Sequence, residues 1–233
     1  MKTITIQQPE YFPWLVYFNK MFLVDEIVFL DDVQFKKRYF ENRNKIRTND
    51  GWMWISTPVL TKGRYKQKIM NVEIDNSQLW QKKIIKALML NYQKSKFWYK
   101  YEKELCELIM RPYNKLIDFN FSIILFIMKK LNINNNYCFS SSLNIKSSGS
   151  QLILDICKKM NANIYLSGDK GVDYLNKNDF KKNHIKIVYH NFKHPEYKQL
   201  REPFISHMSF VDLLFNYGPD SLLILKNNMY EKS

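Results

Sequence analysis

The first 46 residues constrain the fold more than any other stretch. Thr3 to Gln7 alternates Thr and Ile before ending in Gln, the pattern of a strand with two unlike faces. Tyr11 to Phe22 carries aromatic and aliphatic residues at helical spacing, and Pro13 is tolerable there only in a first turn. Glu26 to Leu30 is a short apolar run that stops at Asp31 and Asp32. Two neighbouring strands joined through a helix form a parallel βαβ unit with a right-handed crossover. Both expected strands end in polar residues that no core requires: Gln7 and Gln8 after the first, Asp31 and Asp32 after the second. In an open α/β sheet, ligands bind outside the carboxyl ends of the strands. The opening therefore predicts a small-molecule site without naming the molecule.

Later segments extend this plan. Phe40 to Arg47 is expected to form a short helix, Trp52 to Thr57 a strand, Lys62 to Lys68 a basic loop around Gly63, and Ile69 to Ile74 a further strand. Ser77 to Ile109 reads as a long helical pattern with a break near Ser95, and Asn114 to Leu131 as another helix. Residues 77–131 thus form a helical insert or cap within a single domain spanning 1–233. Tyr137 to Ser140, Ile164 to Leu166 and Ile185 to Tyr189 read as strands. Gln151 to Met160 is an amphipathic helix capped by Ser148 or Ser150, and Ser209 to Phe215 and Ser221 to Leu225 are short helices. The predicted class is α/β: a mostly parallel, Rossmann-like sheet with helices on both faces.

Bulk properties limit the function classes. The 233 residues, 45% of them hydrophobic, suit one sizeable core. Met1 is followed almost at once by a strand pattern, and the most apolar window, Phe119 to Met128, is too short to span a bilayer. A cytoplasmic protein with no membrane insertion is the expectation. Cys106, Cys138 and Cys157 lie far apart and read as reduced, mostly buried thiols, and no metal-ligand spacing is present. The net charge of +14 favours anionic partners. Yet only six of the 36 basic residues are Arg, and the lysines are spread without a dense arm, which argues against a dedicated nucleic-acid tail.

Candidate chemistry gathers at the strand ends. Gln7, Gln8 and Pro9, then Asp31, Asp32 and Gln34, then Ser167, Gly168 and Asp169 share one geometry if their strands are parallel neighbours. The amides supply donors and acceptors together, and a carboxylate orients or deprotonates an amine or hydroxyl. Lys36, Lys37, Arg38, Arg43 and Lys45 follow the acid pair, and Arg38 and Arg43 suit bidentate phosphate binding, helped by a helix starting near Tyr39. The Ser-rich stretch from Ser140 to Ser150 offers an anion site at a helix start but lacks a Walker pattern. Gly168 and Gly171 allow close backbone approach. His194 is a candidate acid or base, clustered with Pro195, Tyr197 and Gln199, whereas His184, His190 and His207 have no spaced partner. Trp52, Trp54, Phe97 and Trp98 are most simply core.

At these residues the chain resembles the WbqC-like protein family. The matching stretches are Gln8-Pro9-Glu10-Tyr11-Phe12-Pro13-Trp14-Leu15, Leu30-Asp31-Asp32-Val33-Gln34-Phe35, Asn42-Arg43-Asn44-Lys45-Ile46 and Thr57-Pro58-Val59. Further along come Tyr165-Leu166-Ser167-Gly168 with Tyr174-Leu175, His194-Pro195-Glu196-Tyr197 with Gln199, and Ser209 through Asp212-Leu213-Leu214-Phe215-Asn216 with Gly218. Two positions depart from the usual pattern: Gln7 stands where a His is frequent, and Val16 where a Gly is. The resemblance implies a bacterial enzyme of surface-polysaccharide (O-antigen, lipopolysaccharide) biosynthesis that transfers a glycine or other aminoacyl group to an amino sugar. It assigns no catalytic residues.

The resulting expectation is a transferase forming an amide on the amine of a nucleotide-linked sugar. Asp31, Asp32 and His194 are the catalytic candidates. Gln7, Gln8, Tyr11, Trp14, Gln34, Lys36, Arg38, Asn42, Arg43, Ser167, Gly168, Tyr197 and Gln199 are the substrate-binding candidates. The acyl donor is a thioester, an aminoacyl-tRNA, a carrier protein or an ATP-activated acid, and no motif names a cofactor. The alternatives are an ATP-dependent nucleotidyltransferase or ligase, and a non-catalytic module binding RNA or a partner protein.

Overall fold

The computed structural model describes residues 1–226. In chain order its elements are β1 (Thr3–Gln7), α1 (Leu15–Phe22), β2 (Glu26–Phe29), β3 (Arg43–Thr48), β4 (Gly51–Ser56), α2 (Trp80–Tyr92), α3 (Trp98–Met110), α4 (Leu116–Lys130), β5 (Asn136–Phe139), α5 (Gly149–Lys159), β6 (Ile164–Ser167), α6 (Lys177–Lys182), β7 (Lys186–Tyr189), α7 (Phe210–Tyr217) and α8 (Ser221–Lys226). Five strands form one sheet in the order β5-β2-β1-β6-β7, and every neighbouring pair is parallel. The central strand β1 pairs with β2 on one side and β6 on the other, so the chain winds away from β1 in both directions. That is the doubly wound, Rossmann-like arrangement, and its switch point lies between the carboxyl ends of β1 and β6.

Strand alternation sends side chains to two cores. Ile27, Phe29 and Leu166 face a large cluster built with α1, α2, α3, α4, α7 and the β3–β4 hairpin. Ile4, Ile6, Val28 and Tyr165 face a smaller cluster with α5 and α6. The helices of residues 77–131 share the larger core with α1 and β2, so they form a continuous layer against the sheet. Across the β1–β6 pair, the buried Thr5 hydroxyl donates to the Leu166 carbonyl at 3.0 Å.

Three local expectations are corrected. Residues 40–47 do not form a helix: Arg43 to Thr48 pairs antiparallel with Gly51 to Ser56 around Asn49 and Asp50. Asn44 and Ile46 are buried between the partly exposed Arg43 and Lys45, a period of two that excludes a helix. Residues 69–74 are no strand. Ile69–Asn71 is a 3₁₀ turn whose Ile69 and Met70 amides donate to Val33 and Asp31 carbonyls. Trp52 is not core. It is 43% exposed on the outer face of the hairpin, with the Lys45 ammonium 4.2 Å above its ring. Trp54, partly exposed on that face, is covered by the Arg43 guanidinium, also at 4.2 Å. A cation over the ring makes an exposed indole affordable. Trp98, in contrast, is buried as expected.

The helical pattern of 77–109 divides into α2 and α3 around Ser95, which is buried in the break. The three cysteines are free, and burial pushes the Cys157 thiol up to about 12. Gly218 ends α7 with φ +55, and a Cβ there would lie 2.5 Å from the Phe97 ring. Gly218→Ala should therefore destabilise the fold by about 1–3 kcal/mol through overpacking and a strained φ. Urea denaturation checks this, and unchanged stability would show that the Phe97 contact is slack.

Candidate functional site

The crevice at the switch point is built by four segments that leave carboxyl ends of strands. Gln7 to Trp14 follows β1 and runs into α1. Ser167, Gly168 and Asp169 follow β6. His190 and Phe192 follow β7, with the His190 amide bonded to the Ser167 carbonyl at 2.9 Å. Asp31 and Asp32 lie past the end of β2.

The strongest chemical signature is a set of buried side-chain atoms without hydrogen-bond partners. The Gln7 side chain is 6% exposed, and neither its amide nitrogen nor its oxygen has a partner. The Glu10 Oε2, the Tyr11 hydroxyl, both Glu41 carboxylate oxygens, the Asn42 Oδ1, the Thr57 hydroxyl and the Asn120 Oδ1 share that condition. Native interiors leave few such groups, and a concentration of them marks a place meant for water or ligand. The amides here have fixed orientations. Asn120 donates through Nδ2 to the Pro9 and Glu41 carbonyls, and Asn42 donates to the Thr57 carbonyl, which leaves their Oδ1 atoms as the ones without partners.

Charge in the crevice is concentrated and desolvated. Burial raises the Glu10 carboxyl to about 7, with Lys20 opposing and the Glu41 charge adding to the rise. Burial lowers the Lys20 ammonium from its usual range, while Glu10 and Asp169 pull it back up. Burial takes His190 down to about 4, Lys20 adds to that fall, and Asp169 resists it. Glu41 is also raised by burial. Perturbed groups of opposite sign that sense each other within a sheet-edge cleft are a mark of functional sites.

The expected residues separate into three groups. Gln7, Gln8, Ser167 and Gly168 line the switch point, and a Cβ at Gly168 would meet open space. At Gly171 the close neighbour is the Ser167 hydroxyl, not free volume. Tyr11 is fully buried with its hydroxyl in the unpartnered set. Trp14 stacks on His207, ring centroids 4.8 Å apart, and more loosely on His194 at 6.3 Å.

A second group braces the fold. Asp31 is 3% exposed and accepts from the Ser140 hydroxyl, the Ser141 amide and the Ser141 hydroxyl. Its lone pairs clamp the end of β2 to the turn after β5. Asp32 shares that one Ser140 hydroxyl proton, with its Oδ1 at 2.5 Å against 3.0 Å for Asp31. Tyr197 and Gln199 both donate to the buried Asp212, at 2.7 and 2.9 Å. They tie the long segment after β7 to α7. His194 is locked as well. Its Nδ1 bonds the Pro195 carbonyl, so it carries the proton, and its Nε2 accepts from the His207 amide. Both ring nitrogens are engaged, which leaves His194 no lone pair for a substrate.

The third group lies on the outer surface. Lys36 and Arg38 are exposed, and Arg38 sits in a left-handed turn with φ 58. Arg43 projects from the hairpin, not from a helix start, and no helix begins near Tyr39 to supply anion-binding amides. Gln34 is exposed and donates to the Tyr65 carbonyl.

Sequence reading missed Glu10, Lys20, Glu41, Asn120 and His190. For His190 the signal was present: it is the first residue after a clear strand, the same rule that selected Gln8 and Gly168. Lys20 and Asn120 sit inside amphipathic helices, where nothing local sets them apart. An open hollow of about 480 Å³ lies elsewhere, between Lys177, Lys181, His184 and Tyr189 at the outer edge of the sheet, where the Tyr189 hydroxyl is a buried polar atom without a partner. Among the described residues no group of three or more His, Cys, Asp or Glu stands together as metal ligands do, and no helix is long and apolar enough to cross a membrane.

A model of the WbqC-like protein family matches residues 8–224. The chain belongs to the WbqC-like protein family. It is 30% identical to the uncharacterized protein Rv1507c of Mycobacterium tuberculosis over 223 residues, 95% of this chain and 96% of that protein. No solved structure matches. The WbqC-like match begins at Gln8, the residue that opens the crevice loop, and spans both the crevice residues and the bracing ones.

Opposed titrations give a test of the crevice. Neutral Glu10 suits the fold, so its contribution is complete below its ordinary value of 4.5 and is lost as pH rises through about 7. Neutral His190 contributes fully above 6.5 and loses that contribution as pH falls toward about 4. Between these limits the two slopes oppose. In Glu10→Gln one slope opposing that of His190 is removed, and the melting temperature should climb more steeply than in the native protein from about pH 4.5 to 6.5. Identical slopes in the two proteins would contradict the assignment.

Proposed function

We propose that the protein joins an activated acyl or aminoacyl group to the amine of a nucleotide-linked amino sugar, within the crevice between β1 and β6. The observation that carries this reading is the set of buried, partnerless polar side chains in and around the loop after β1, which suits a polar substrate entering a largely desolvated cleft. Glu10 and Asp169 suit the recognition of an amine. The Gln7 amide, with its nitrogen unpartnered, suits the oxyanion that forms at the acyl carbon. Arg43 and Lys45, held over Trp54 and Trp52, form a cationic and aromatic face that suits a nucleoside diphosphate.

The chemistry balances without an oxidant or reductant. The amine nitrogen attacks the acyl carbonyl carbon, a C–N bond forms, and the C–S or C–O bond to the carrier breaks. The proton lost by the amine leaves with the departing thiol, alcohol or phosphate. The carrier is a thioester, an aminoacyl-tRNA, an acyl-carrier protein or an acyl phosphate-type intermediate made with ATP. Transfer in a bacterial surface-polysaccharide pathway is the role that the family resemblance suggests.

Calorimetric titration with a panel of nucleoside-diphosphate amino sugars, and separately with ATP, tests the reading. The amino sugars should bind, and Arg43→Ala should weaken them about ten-fold or more, the usual worth of a charge-assisted contact. Binding of ATP alone would favour nucleotidyl transfer. Binding of neither, with steeply salt-dependent affinity for RNA, would favour a binding module.

A further inference from the structure

We infer that His190 is the catalytic base of the crevice, accepting the amine proton through Nδ1. This rests on the amide-forming reading above and adds the residue that moves the proton. The hydrogen-bond network decides the tautomer. Asn19 donates through Nδ2 to the Leu225 carbonyl, so its Oδ1 is the atom 2.7 Å from His190 Nε2. An amide oxygen only accepts, so Nε2 carries the ring proton and Nδ1 keeps its lone pair. Among the described residues none hydrogen-bonds Nδ1, and that atom is not among the sealed, partnerless ones.

Position follows from the fold. His190 directly ends β7, and its amide is pinned to the Ser167 carbonyl at 2.9 Å. Phe192 stacks against the ring, with centroids 5.8 Å apart. The backbone is thus fixed at one point and the ring at two, on the carboxyl edge beside Gly168, where a Cβ would meet open space.

The other histidines do not offer this. His194 has both nitrogens engaged, His207 is exposed with Nδ1 on the Ser206 hydroxyl, and His184 is exposed at the far side of the sheet.

The charged neighbours act in two directions, for whatever keeps the resting ring neutral also lowers its strength as a base, and Asp169 opposes that loss. Lys20 on α1 and burial keep the resting ring neutral, so the base form is present throughout the neutral range. Asp169, after β6, favours the imidazolium once it forms, and Glu10 faces Lys20 from the loop after β1. As the C–N bond forms, one amine proton passes to Nδ1. As the tetrahedral species collapses, the imidazolium returns that proton to the departing thiolate or alkoxide, and the ring is restored.

Three readouts test this. First, ¹⁵N NMR of the labelled protein at pH 7 should show one histidine as the Nε2–H tautomer that stays neutral to below pH 5, with its signals absent in His190→Asn. An Nδ1–H tautomer, or titration near 6.5, overturns the inference, and this readout needs no substrate. Second, His190→Asn should bind a nucleoside-diphosphate amino sugar within about two-fold of the native affinity while single-turnover amide formation falls about 10²–10⁴-fold. Turnover within three-fold of native overturns the inference and leaves the amide-forming reading intact. A native protein that forms no amide overturns both. Third, Lys20→Met removes the cation that adds to burial in holding the ring neutral. The acid limb of kcat/KM should then move up by about one pH unit, a change of about 1.4 kcal/mol. An unmoved limb counts against His190, and this variant keeps the inference testable if His190→Asn does not fold.

Discussion

Parallel pairing of β1 with β2 on one side and β6 on the other is the constraint on which the molecule depends. Because the chain leaves the central strand in both directions, the loops after β1 and β6 part instead of covering each other, and a crevice opens at their carboxyl ends. A one-residue shift of β1 would exchange its faces, turning Ile4 and Ile6 toward the larger core and Gln7 away from it. The Thr5 hydroxyl on the Leu166 carbonyl and the His190 amide on the Ser167 carbonyl hold the pairings that fix this register.

The stretches shared with WbqC-like proteins serve two different tasks. Asp31, Tyr197 and Gln199 are consumed by internal hydrogen bonds, the last two to Asp212 Oδ2, that join the end of β2 to the turn after β5 and the long segment after β7 to α7. Removing one partner of such a buried set leaves the others unsatisfied, at about 1–3 kcal/mol for each group. Gln7, Glu10, Tyr11, Glu41 and Asn120 are the reverse case: buried polar atoms that the fold does not satisfy. The two groups look alike in sequence, and only their partners tell them apart.

The fold was largely legible in the chain. Alternation in Thr3–Gln7, helical spacing in Tyr11–Phe22 and the apolar run ending at Asp31 led to the parallel sheet, because periods of 2 and 3.6 report which face is buried. Phe40–Arg47 misled because its apolar content is low and its alternation is carried by Asn44 and Ile46 against cations. Trp52 misled because a lysine over an exposed indole leaves no trace in a hydrophobicity pattern. The site was legible only in part. Strand-end position found Gln7, Gln8, Ser167 and Gly168, and applied evenly it also reaches His190. Lys20 and Asn120 come from amphipathic helices whose rotation against the sheet is a tertiary matter. Whether a polar group ends up satisfied, as Asp31 is, or unsatisfied, as Glu41 is, depends on contacts distant in sequence.

The central claim is that the substrate lies in the crevice between the carboxyl ends of β1 and β6. A crystal structure of the protein soaked with a nucleoside-diphosphate amino sugar measures this most directly. The amino group should lie within hydrogen-bond distance of the crevice residues that include Glu10, Asp169 and His190, with the diphosphate toward Arg43 and Lys45. Ligand density confined to the outer edge of β7 or to the Ser140–Ser150 segment, with the crevice holding only water, would contradict the account.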